Sequence, residues 1–374
     1  MPLTKVKING FRNLSSVSWQ PSPHINLITG ANGSGKTSLL EALYVLGSGK
    51  SFRVAQVKPL VTFNADRFSL YGEALLPDRH SMGIEKRLAG DGTIVIDGSR
   101  AASASELASL LPIQHFGLDD FQLFEGGPRI RRRFLDWGVF HVEHEQDAQL
   151  FRRFDRAIKQ RNSGLRSGKI SRSEQQVWNA EFLKCAESLD EARRRYLTAL
   201  MEAYRVLCLS YGDMPYAEAL SIQYSPGWDQ KMSLADAMQR PNLIERERKT
   251  GITQAGPHRA DLRMMMEGMP ARDLLSRGQM KVLGHLLKLA QIKVLVSERS
   301  AGRLPILLLD DLAAELDEGN VVKLLSLVRN FGTQVFLTTL DAKQLPPVRL
   351  WAEQTELKLF HVEHGQLTEQ SFQE

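Results

Sequence analysis

Apolar residues recur in short runs along the chain, and the runs differ in kind. Val6, Ile8 and Phe11 stand among polar neighbours, which predicts an opening strand with one buried face. Residues 25–29, 305–309 and 334–338 are almost continuously apolar. Runs of this length predict strands that are covered on both faces, as in the centre of an α/β domain.

A second pattern lies between residues 68 and 100. Short runs alternate between apolar and polar positions, and Asp91-Gly92 and Asp97-Gly98 interrupt them. Asp-Gly pairs favour the tight turns that join antiparallel strands. This segment therefore predicts a small antiparallel sheet.

The middle of the chain is helical in character. From residue 129 to about 210 it is rich in Arg, Glu, Leu and Ala, which are strong helix formers. The glycine-containing stretch 162–168 predicts a turn between two antiparallel helices. Sheet-like sequence returns after about residue 250. The pattern therefore predicts an α/β fold that is interrupted by a mainly helical insertion.

Composition says only a little about the class of protein. The 374 residues are 43% hydrophobic and 24% charged, as is ordinary for a globular protein, and the net charge of +5 permits a polyanionic partner. No apolar run approaches the roughly 18–20 residues that span a bilayer, so we expect a cytoplasmic protein without a membrane partner. Cys185 and Cys208 are too few for a metal cluster, and we expect buried free thiols.

Residues 30–37 contain the strongest chemical signal. The string Gly-Ala-Asn-Gly-Ser-Gly-Lys-Thr fits the P-loop pattern and stands between a predicted strand and a predicted helix. Glycines allow backbone N–H groups to surround a phosphate, the lysine neutralises phosphate charge, and the threonine hydroxyl binds Mg²⁺. We therefore predict ATP and Mg²⁺ as cofactors. The candidate residues are Gly30, Ala31, Asn32, Gly33, Ser34, Gly35, Lys36 and Thr37.

A P-loop needs a carboxylate near the metal, and one follows the strand at 305–309. Asp310 is placed to hold Mg²⁺, and Asp311 to orient or deprotonate the attacking water. We therefore predict Lys36, Asp310 and Asp311 as the catalytic residues.

A third string, Leu-Ser-Arg-Gly-Gln at residues 275–279, precedes Asp310 and leads into an apolar helix. By itself it is weak, because a helix N-cap serine would explain it. In this position it resembles the signature of the ABC ATPases, and residues 314–317 resemble their D-loop. The resemblance implies that Ser276, Gly278 and Gln279 bind the γ-phosphate of nucleotide held by a second subunit.

Three further segments resemble the RecF family of SMC-like ABC ATPase heads. They are residues 7–13, 126–138 and 253–262, so that the resemblance covers nearly the whole chain. It implies an ABC-type ATPase head whose first lobe is formed by residues 1–115 and 300–374. Residues 116–299 then form the second, mainly helical lobe. The resemblance also implies that Arg12 reaches the nucleotide phosphates.

The resemblance implies a function as well. Proteins of the RecF family bind DNA in an ATP-dependent way, form a homodimer around ATP and hydrolyse it slowly. With RecO and RecR they help to load the RecA-type recombinase at gaps, in DNA repair, replication, recombination and the SOS response. A weak, DNA-stimulated ATPase is therefore expected. The alternatives are an SMC-like structural clamp, in which ATP only holds the dimer closed, and a small-molecule phosphotransferase.

Two departures from the ABC pattern predict slow turnover. Asp311 stands where many of these enzymes have a longer glutamate, and Thr338-Thr339 replaces the switch histidine. For the glutamine that completes the metal site, we favour Gln114 over Gln122.

Basic residues are concentrated between positions 129 and 170, which hold eleven Lys or Arg and five Asp or Glu, a net charge of +6. Arg152, Arg156 and Lys159 share one helical face at i, i+4 and i+7. We predict that they contact the phosphates of DNA, double-stranded or gapped. The alternative is a solvated helix face with internal ion pairs.

Overall fold

The computed structural model describes residues 2–76, 78–90, 92–142, 145–167, 172–212, 214–298, 304–342, 345 and 357–371. The chain forms two compact units. The first contains Met1–Asp120 and Lys281–Glu374, and the second Phe121–Met280. The sequence placed the lobe boundaries after residues 115 and 299. The structure divides the chain after residues 120 and 280 instead, and the second division falls within one long helix, Arg277–Glu298.

The strands and helices are as follows. The strands are β1 (Leu3–Phe11), β2 (Leu14–Trp19), β3 (Ile25–Thr29), β4 (Arg67–Leu76), β5 (Asp78–Arg87), β6 (Gly92–Ile96), β7 (Ser99–Arg100), β8 (Ile113–Phe116), β9 (Leu220–Ser225), β10 (Asp261–Met266), β11 (Met269–Pro270), β12 (Ile306–Leu309), β13 (Val335–Thr339), β14 (Leu357–Glu363) and β15 (Gln366–Gln370). The helices are α1 (Lys36–Ser48), α2 (Ala104–Leu110), α3 (Gln122–Glu125), α4 (Pro128–Val142), α5 (Glu145–Ser167), α6 (Arg172–Tyr211), α7 (Pro215–Glu218), α8 (Leu234–Met238), α9 (Pro241–Thr250), α10 (Arg277–Glu298), α11 (Leu312–Glu315) and α12 (Glu318–Arg329).

A mainly parallel sheet organises the first unit. Its strand order is β15-β14-β3-β13-β12-β8, and only the β14–β15 pair is antiparallel. Every residue of β3, β12 and β13 is buried, which confirms the buried strands predicted from the apolar runs. The parallel register of the three strands carries their carboxyl ends to the same edge.

The first unit also contains an antiparallel sheet, in the order β2-β1-β4-β5-β6-β7. It confirms the antiparallel sheet predicted for residues 68–100, and the opening strand β1 belongs to it as well. Asp97 and Gly98 form the turn between β6 and β7 with φ of 50° and 78°, as a type I′ turn requires. The other predicted turn is wrong in part, because Gly92 already lies in β6, while Asp91 is outside the described residues.

The second unit combines helices with a small sheet of order β11-β10-β9. Helices α5 and α6 pair antiparallel, with Arg153 bonded to Glu181 and Arg161 to Asn179. The turn predicted at 162–168 is wrong for residues 162–167, because α5 continues through them. Asn162 uses its side-chain oxygen to accept hydrogen bonds from Thr253, so this turn-favouring residue is stabilised within the helix by a distant segment.

A buried ion pair joins α5 to α9. The guanidinium of Arg161 donates to both carboxylate oxygens of Glu247 at 3.1 and 2.7 Å, and to the Thr253 hydroxyl at 2.7 Å. The two charged side chains are only 6% and 5% exposed. Removing one partner of such a pair leaves a buried charge without compensation, which is far more costly than losing a surface pair.

We expect Glu247→Ala to lower the free energy of unfolding by about 3–5 kcal/mol, because the Arg161 charge stays buried. The matched control is Glu245→Ala on the same helix, where Glu245 pairs with Lys249 and both side chains are largely exposed. Its cost should stay below about 1 kcal/mol. Urea denaturation followed by circular dichroism measures both, and equal costs would contradict the structural role of the buried pair.

Candidate nucleotide-binding site

The predicted P-loop connects the end of β3 to the start of α1. Its glycines are required by the backbone. Gly30 has φ of 151°, and a Cβ there would lie 2.4 Å from the carbonyl oxygen of Val362. Gly33 has φ of 79°, which side chains rarely allow. The loop therefore folds tightly only with glycine at these positions.

The loop leaves backbone donors unused. The N–H groups of Asn32, Gly33, Gly35 and Lys36 form no hydrogen bond to any residue that the structure describes. The N-cap residue of α1, Gly35, also provides no side-chain cap. Free N–H groups at the start of a helix carry positive potential and bind anions, above all phosphate.

Lys36 adds a cation to these donors. Its side chain is largely buried, and Nζ donates to the carbonyl oxygens of Gly30 at 2.6 Å and Ala31 at 3.1 Å. Burial lowers the pKa of Lys36, while the nearby Asp311 and Asp310 raise it. The amine thus faces both the loop and the acidic pair, as the predicted role requires.

Asp310 follows β12 and meets two hydroxyls. Its Oδ1 accepts hydrogen bonds from Thr37 Oγ1 at 3.2 Å and from Thr338 Oγ1 at 2.8 Å. Burial raises the pKa of Asp310, and the hydrogen bonds from Thr338 and Thr37 lower it. A carboxylate beside a hydroxyl is the oxygen donor set that Mg²⁺ prefers, so Thr37 and Asp310 fit the predicted metal.

Asp311 is held in an unusual conformation next to this pair. Its φ is 50°, its N–H donates to Thr338 Oγ1 at 2.9 Å, and its Oδ1 is buried without a hydrogen-bond partner. Burial raises the pKa of Asp311, and Lys36 lowers it. The Oδ1 of Asp311 is therefore a buried acceptor that no hydrogen bond from a described residue satisfies. The sequence did not suggest that Thr338 would bond to both acids.

The described residues contain no group of three or more His, Cys, Asp or Glu side chains that could hold a metal ion. A site with so few protein ligands is compatible with Mg²⁺. Magnesium in phosphate sites usually takes only one or two protein oxygens and completes its shell with phosphate and water.

Arg12 lines the cavity, and its guanidinium is paired with Glu41. Arg12 Nε and Nη2 donate to the two carboxylate oxygens at 2.9 and 2.8 Å. Glu41, on α1, is fully buried, accepts a short hydrogen bond from Ser51 and lies 3.8 Å from Arg53. Sequence analysis missed Glu41 and Arg53. For Glu41, the sequence offered one signal, an acidic residue inside an otherwise apolar stretch of predicted helix.

One cavity of about 680 Å³ collects most of these residues. Most of its polar wall comes from the P-loop with Ser38, from the acidic pair Asp310 and Asp311, and from Arg12, Asn13 and Arg53. Pro59 and residues 61–63 contribute the remainder. Such a volume is in the range of small-molecule and cofactor sites.

The structure does not bring Gln114 to this cavity. Gln114 pairs with Leu307 in the sheet, three residues before Asp310, and its buried side chain donates to Gln291 at 2.8 Å. Three residues of strand correspond to roughly 10 Å. The geometry therefore gives no support to Gln114 as a metal ligand. The alternative, Gln122, lies in α3 of the second unit.

The signature string lies in the second unit at the start of α10. Ser276 Oγ accepts from the N–H of Gln279 at 3.3 Å, and Gln279 Oε1 accepts from the N–H of Ser276 at 2.9 Å. This is a capping box. Ser276 and Gly278 are exposed, so the helix terminus is accessible.

The predicted DNA-binding residues Arg152, Arg156 and Lys159 are all exposed on α5. No ion pair within the described part of the chain involves them. Their neighbours differ, because Arg153 pairs with Glu181 and Arg161 with Glu247. The basic residues of α5 are therefore of two kinds: Arg153 and Arg161 form ion pairs within the unit, whereas the three predicted DNA contacts are exposed to solvent.

Cys185 and Cys208 are free and buried, as predicted. Among the described residues, no helix is long and apolar enough to cross a membrane.

Comparison with known proteins gives a consistent result. The family described as "RecF/RecN/SMC N terminal domain" matches residues 2–366. The DNA replication and repair protein RecF of Stutzerimonas stutzeri (strain A1501) is 41% identical over 371 residues, covering 99% of this chain and 98% of that protein. RecF of Pseudomonas aeruginosa (strain LESB58) is 39% identical over 371 residues, with the same coverage of 99% and 98%.

Two solved structures are similar in fold. The recombination mediator protein RecF-ATP in the RecFOR pathway has a TM-score of 0.84 at 24% identity, covering 99% of this chain and 98% of that one. The SmcHead bound to the C-winged helix domain of ScpA has a TM-score of 0.56 at 15% identity, covering 100% and 98%. Together with the P-loop, the acidic pair and the signature helix, these similarities show that the chain belongs to the RecF family of DNA replication and repair proteins, within the wider RecF/RecN/SMC group.

Proposed function

We propose that this protein is an ATP-dependent DNA-binding protein of recombinational gap repair. It binds Mg²⁺ and ATP in the cavity of the first unit, forms a homodimer around the nucleotide and hydrolyses it slowly. With RecO and RecR, it helps to load a RecA-type recombinase. The relatives' names, DNA replication and repair protein RecF, and the RecFOR pathway named for the similar structure support this assignment.

One observation carries the nucleotide part of the proposal. One cavity is lined by three kinds of group: the unused N–H donors of the P-loop, the amine of Lys36 and the Thr37–Asp310 pair. The donors and the amine suit phosphate oxygens, and the hydroxyl–carboxylate pair suits a divalent cation. A triphosphate with its metal satisfies all of these groups at once.

Hydrolysis is assigned to Asp311. Its unpartnered Oδ1 accepts a proton from water as the water oxygen attacks the γ-phosphorus, and ADP leaves with its bridging oxygen. Mg²⁺, when bound, neutralises the developing phosphate charge. Thr338 holds the backbone of Asp311 in the place where related enzymes use a histidine, and a hydroxyl cannot carry a positive charge. We expect slow turnover from this arrangement, and we expect stimulation by DNA from membership of the RecF family.

The first test separates binding from turnover. Lys36→Ala should weaken ATP binding by ten-fold or more, because phosphate charge loses its buried cation. Asp311→Asn should keep ATP and Mg²⁺ affinity while lowering the hydrolysis rate by about 10²–10⁴-fold. Calorimetric titration and phosphate release under multiple turnover measure the two quantities.

Normal hydrolysis by Asp311→Asn would remove the role assigned to this residue. Absence of turnover in the wild type with DNA present, combined with an ATP-dependent dimer, would favour the SMC-like clamp instead. Unchanged ATP affinity of Lys36→Ala would contradict the nucleotide site itself.

The second test concerns the homodimer. Ser276→Asp keeps a good N-cap acceptor on α10 but places a negative charge where the partner's γ-phosphate is expected. ATP binding to the monomer should persist, and ATP-dependent dimerisation measured by light scattering should disappear. The matched control, Ser276→Thr, keeps the neutral hydroxyl and should dimerise like the wild type. Equal dimerisation of both variants would show that nucleotide is not shared across subunits.

The third test concerns DNA. Binding through phosphates releases counterions, so log affinity falls with log salt by about 0.9 for each contact. Replacing Arg152, Arg156 and Lys159 with Gln should reduce the slope by about 2–3 and leave ATP affinity unchanged. Arg153→Gln, on the same helix but paired with Glu181, is the control and should change the slope little. A wild-type slope in the triple variant would place the DNA contacts elsewhere.

A further inference from the structure

The carbonyl group of Ser34, within the P-loop, accepts hydrogen bonds from two donors that lie outside the loop. The side-chain amide of Asn13 donates from Nδ2 to this oxygen at 3.1 Å, and the backbone N–H of Gly365 donates to it at 3.0 Å. Asn13 belongs to the turn between β1 and β2, and Gly365 to the turn between β14 and β15. Two turns that are far apart in sequence therefore meet at one peptide group of the P-loop.

The parallel sheet brings the second turn to this position. Strand β14 runs parallel to β3, with His361 opposite Thr29, so β14 ends beside the strand that leads into the P-loop. Gly365 then lies directly against the first turn. Its φ is 75°, and a Cβ there would lie 2.1 Å from the carbonyl oxygen of Asn13. Only glycine permits so close an approach, and the two turns therefore pack on each other as well as on the P-loop.

The orientation of the Ser34 carbonyl determines where the next N–H group points. In a trans peptide unit, the C=O of one residue and the N–H of the next are directed to opposite sides of the chain. Among the described residues, Gly35 lines the nucleotide cavity, whereas Ser34 and Gly365 do not. The N–H of Gly35 is one of the donors that no described residue uses. Hydrogen bonds that hold the Ser34 carbonyl away from the cavity therefore keep the Gly35 N–H directed into it.

We propose that Asn13 and Gly365 are positioning residues, which fix the Ser34–Gly35 peptide so that its N–H meets a phosphate of ATP. A loop of this kind needs such support, because Gly33 and Gly35 have φ of 79° and 124°, and glycine loses more conformational entropy than any other residue when it is ordered. A loop whose N–H groups are already oriented loses less entropy when phosphate binds. The inference rests on the proposed function in one respect, namely that the P-loop holds the triphosphate.

Calorimetric titration tests the assignment with ATP and with inorganic tripolyphosphate, which contains neither base nor sugar. Asn13→Ala should weaken the binding of both ligands about ten-fold, because a hydrogen bond that orients the Gly35 N–H is lost. The matched control is Asn9→Ala, since Asn9 is an exposed asparagine on β1 that does not line the cavity. This control should bind both ligands like the wild type.

A second variant tests the other donor. Gly365→Ala should weaken both ligands by a similar factor, because the added Cβ forces the turn away from Asn13. Gly332→Ala is its control: Gly332 also has a positive φ, of 61°, but a Cβ there would meet nothing within 4 Å. The double variant of Asn13 and Gly365 should differ from the product of the two single losses, because both donors act on one carbonyl. The Asn13→Ala measurements stand by themselves if Gly365→Ala does not fold.

The Gly35 N–H also gives a spectroscopic signal that a general loss of stability would not reproduce. Labelling serine with ¹³C at the carbonyl and glycine with ¹⁵N selects the Ser-Gly peptides, of which the sequence contains four. In the wild type, the resonance of Gly35 should move when tripolyphosphate is added. In Asn13→Ala, it should differ already in the free protein and should need about ten-fold more ligand to move. An unaltered resonance in that variant would overturn the proposal.

Three results of the titrations would overturn the assignment. A loss for ATP but not for tripolyphosphate in Asn13→Ala would mean that Asn13 contacts the nucleoside directly. Unchanged affinity of that variant, or a double variant equal to the product of the single losses, would mean that the two turns do not orient a common peptide. In each case the P-loop assignment stands as long as Lys36→Ala weakens ATP binding. If ATP binding does not depend on Lys36, the proposed function itself fails.

Discussion

The parallel pairing of β3, β13 and β12 is the constraint on which the nucleotide site depends. The register sets Thr29 beside Thr339 and Leu309 beside Leu337, so the three strands end at one edge of the sheet. Residues that are far apart in sequence leave the sheet together at this edge. The P-loop follows β3, the acidic pair follows β12, and the hydroxyl of Thr338 at the end of β13 bonds to both acids. A shift of one residue in this register would turn each of these side chains to the opposite face.

Charge compensation is the second organising feature of the first unit. In the cavity wall, burial raises the pKa of the carboxylates of Asp310 and Asp311 and lowers the pKa of the Lys36 amine. Each of these charges therefore depends on its neighbours. The fully buried Glu41 follows the same rule, because it pairs with Arg12 and lies close to Arg53. Buried charges are costly unless they are paired and hydrogen-bonded. The proposed ATP and Mg²⁺ would bring both signs of charge to this wall.

The second unit uses its basic residues in two ways. Arg131 forms a two-pronged ion pair with Asp261, and Arg161 does the same with Glu247, so these arginines stabilise the fold. Arg152, Arg156 and Lys159 are left exposed on one face of α5. Counting charges along the sequence cannot separate the two groups. Partners from distant segments decide which guanidinium is buried and which is available to a polyanion.

The sequence by itself determined the chemistry that resides in local patterns. Residues 30–37 specify a P-loop because strand, glycine turn and helix are contiguous, and the apolar run before Asp310 identifies a buried strand that delivers a carboxylate. Tertiary structure decided everything that depends on distant neighbours. Residues 162–167 are helical although the local sequence predicts a turn, and Asn162 accepts hydrogen bonds from the distant Thr253. Gln114 pairs with Leu307 in the sheet and bonds to Gln291, and these contacts place it away from the cavity. Glu41 and Thr338 gained their places in the site in the same way. Their partners lie in other segments, and only folding brings those segments within reach.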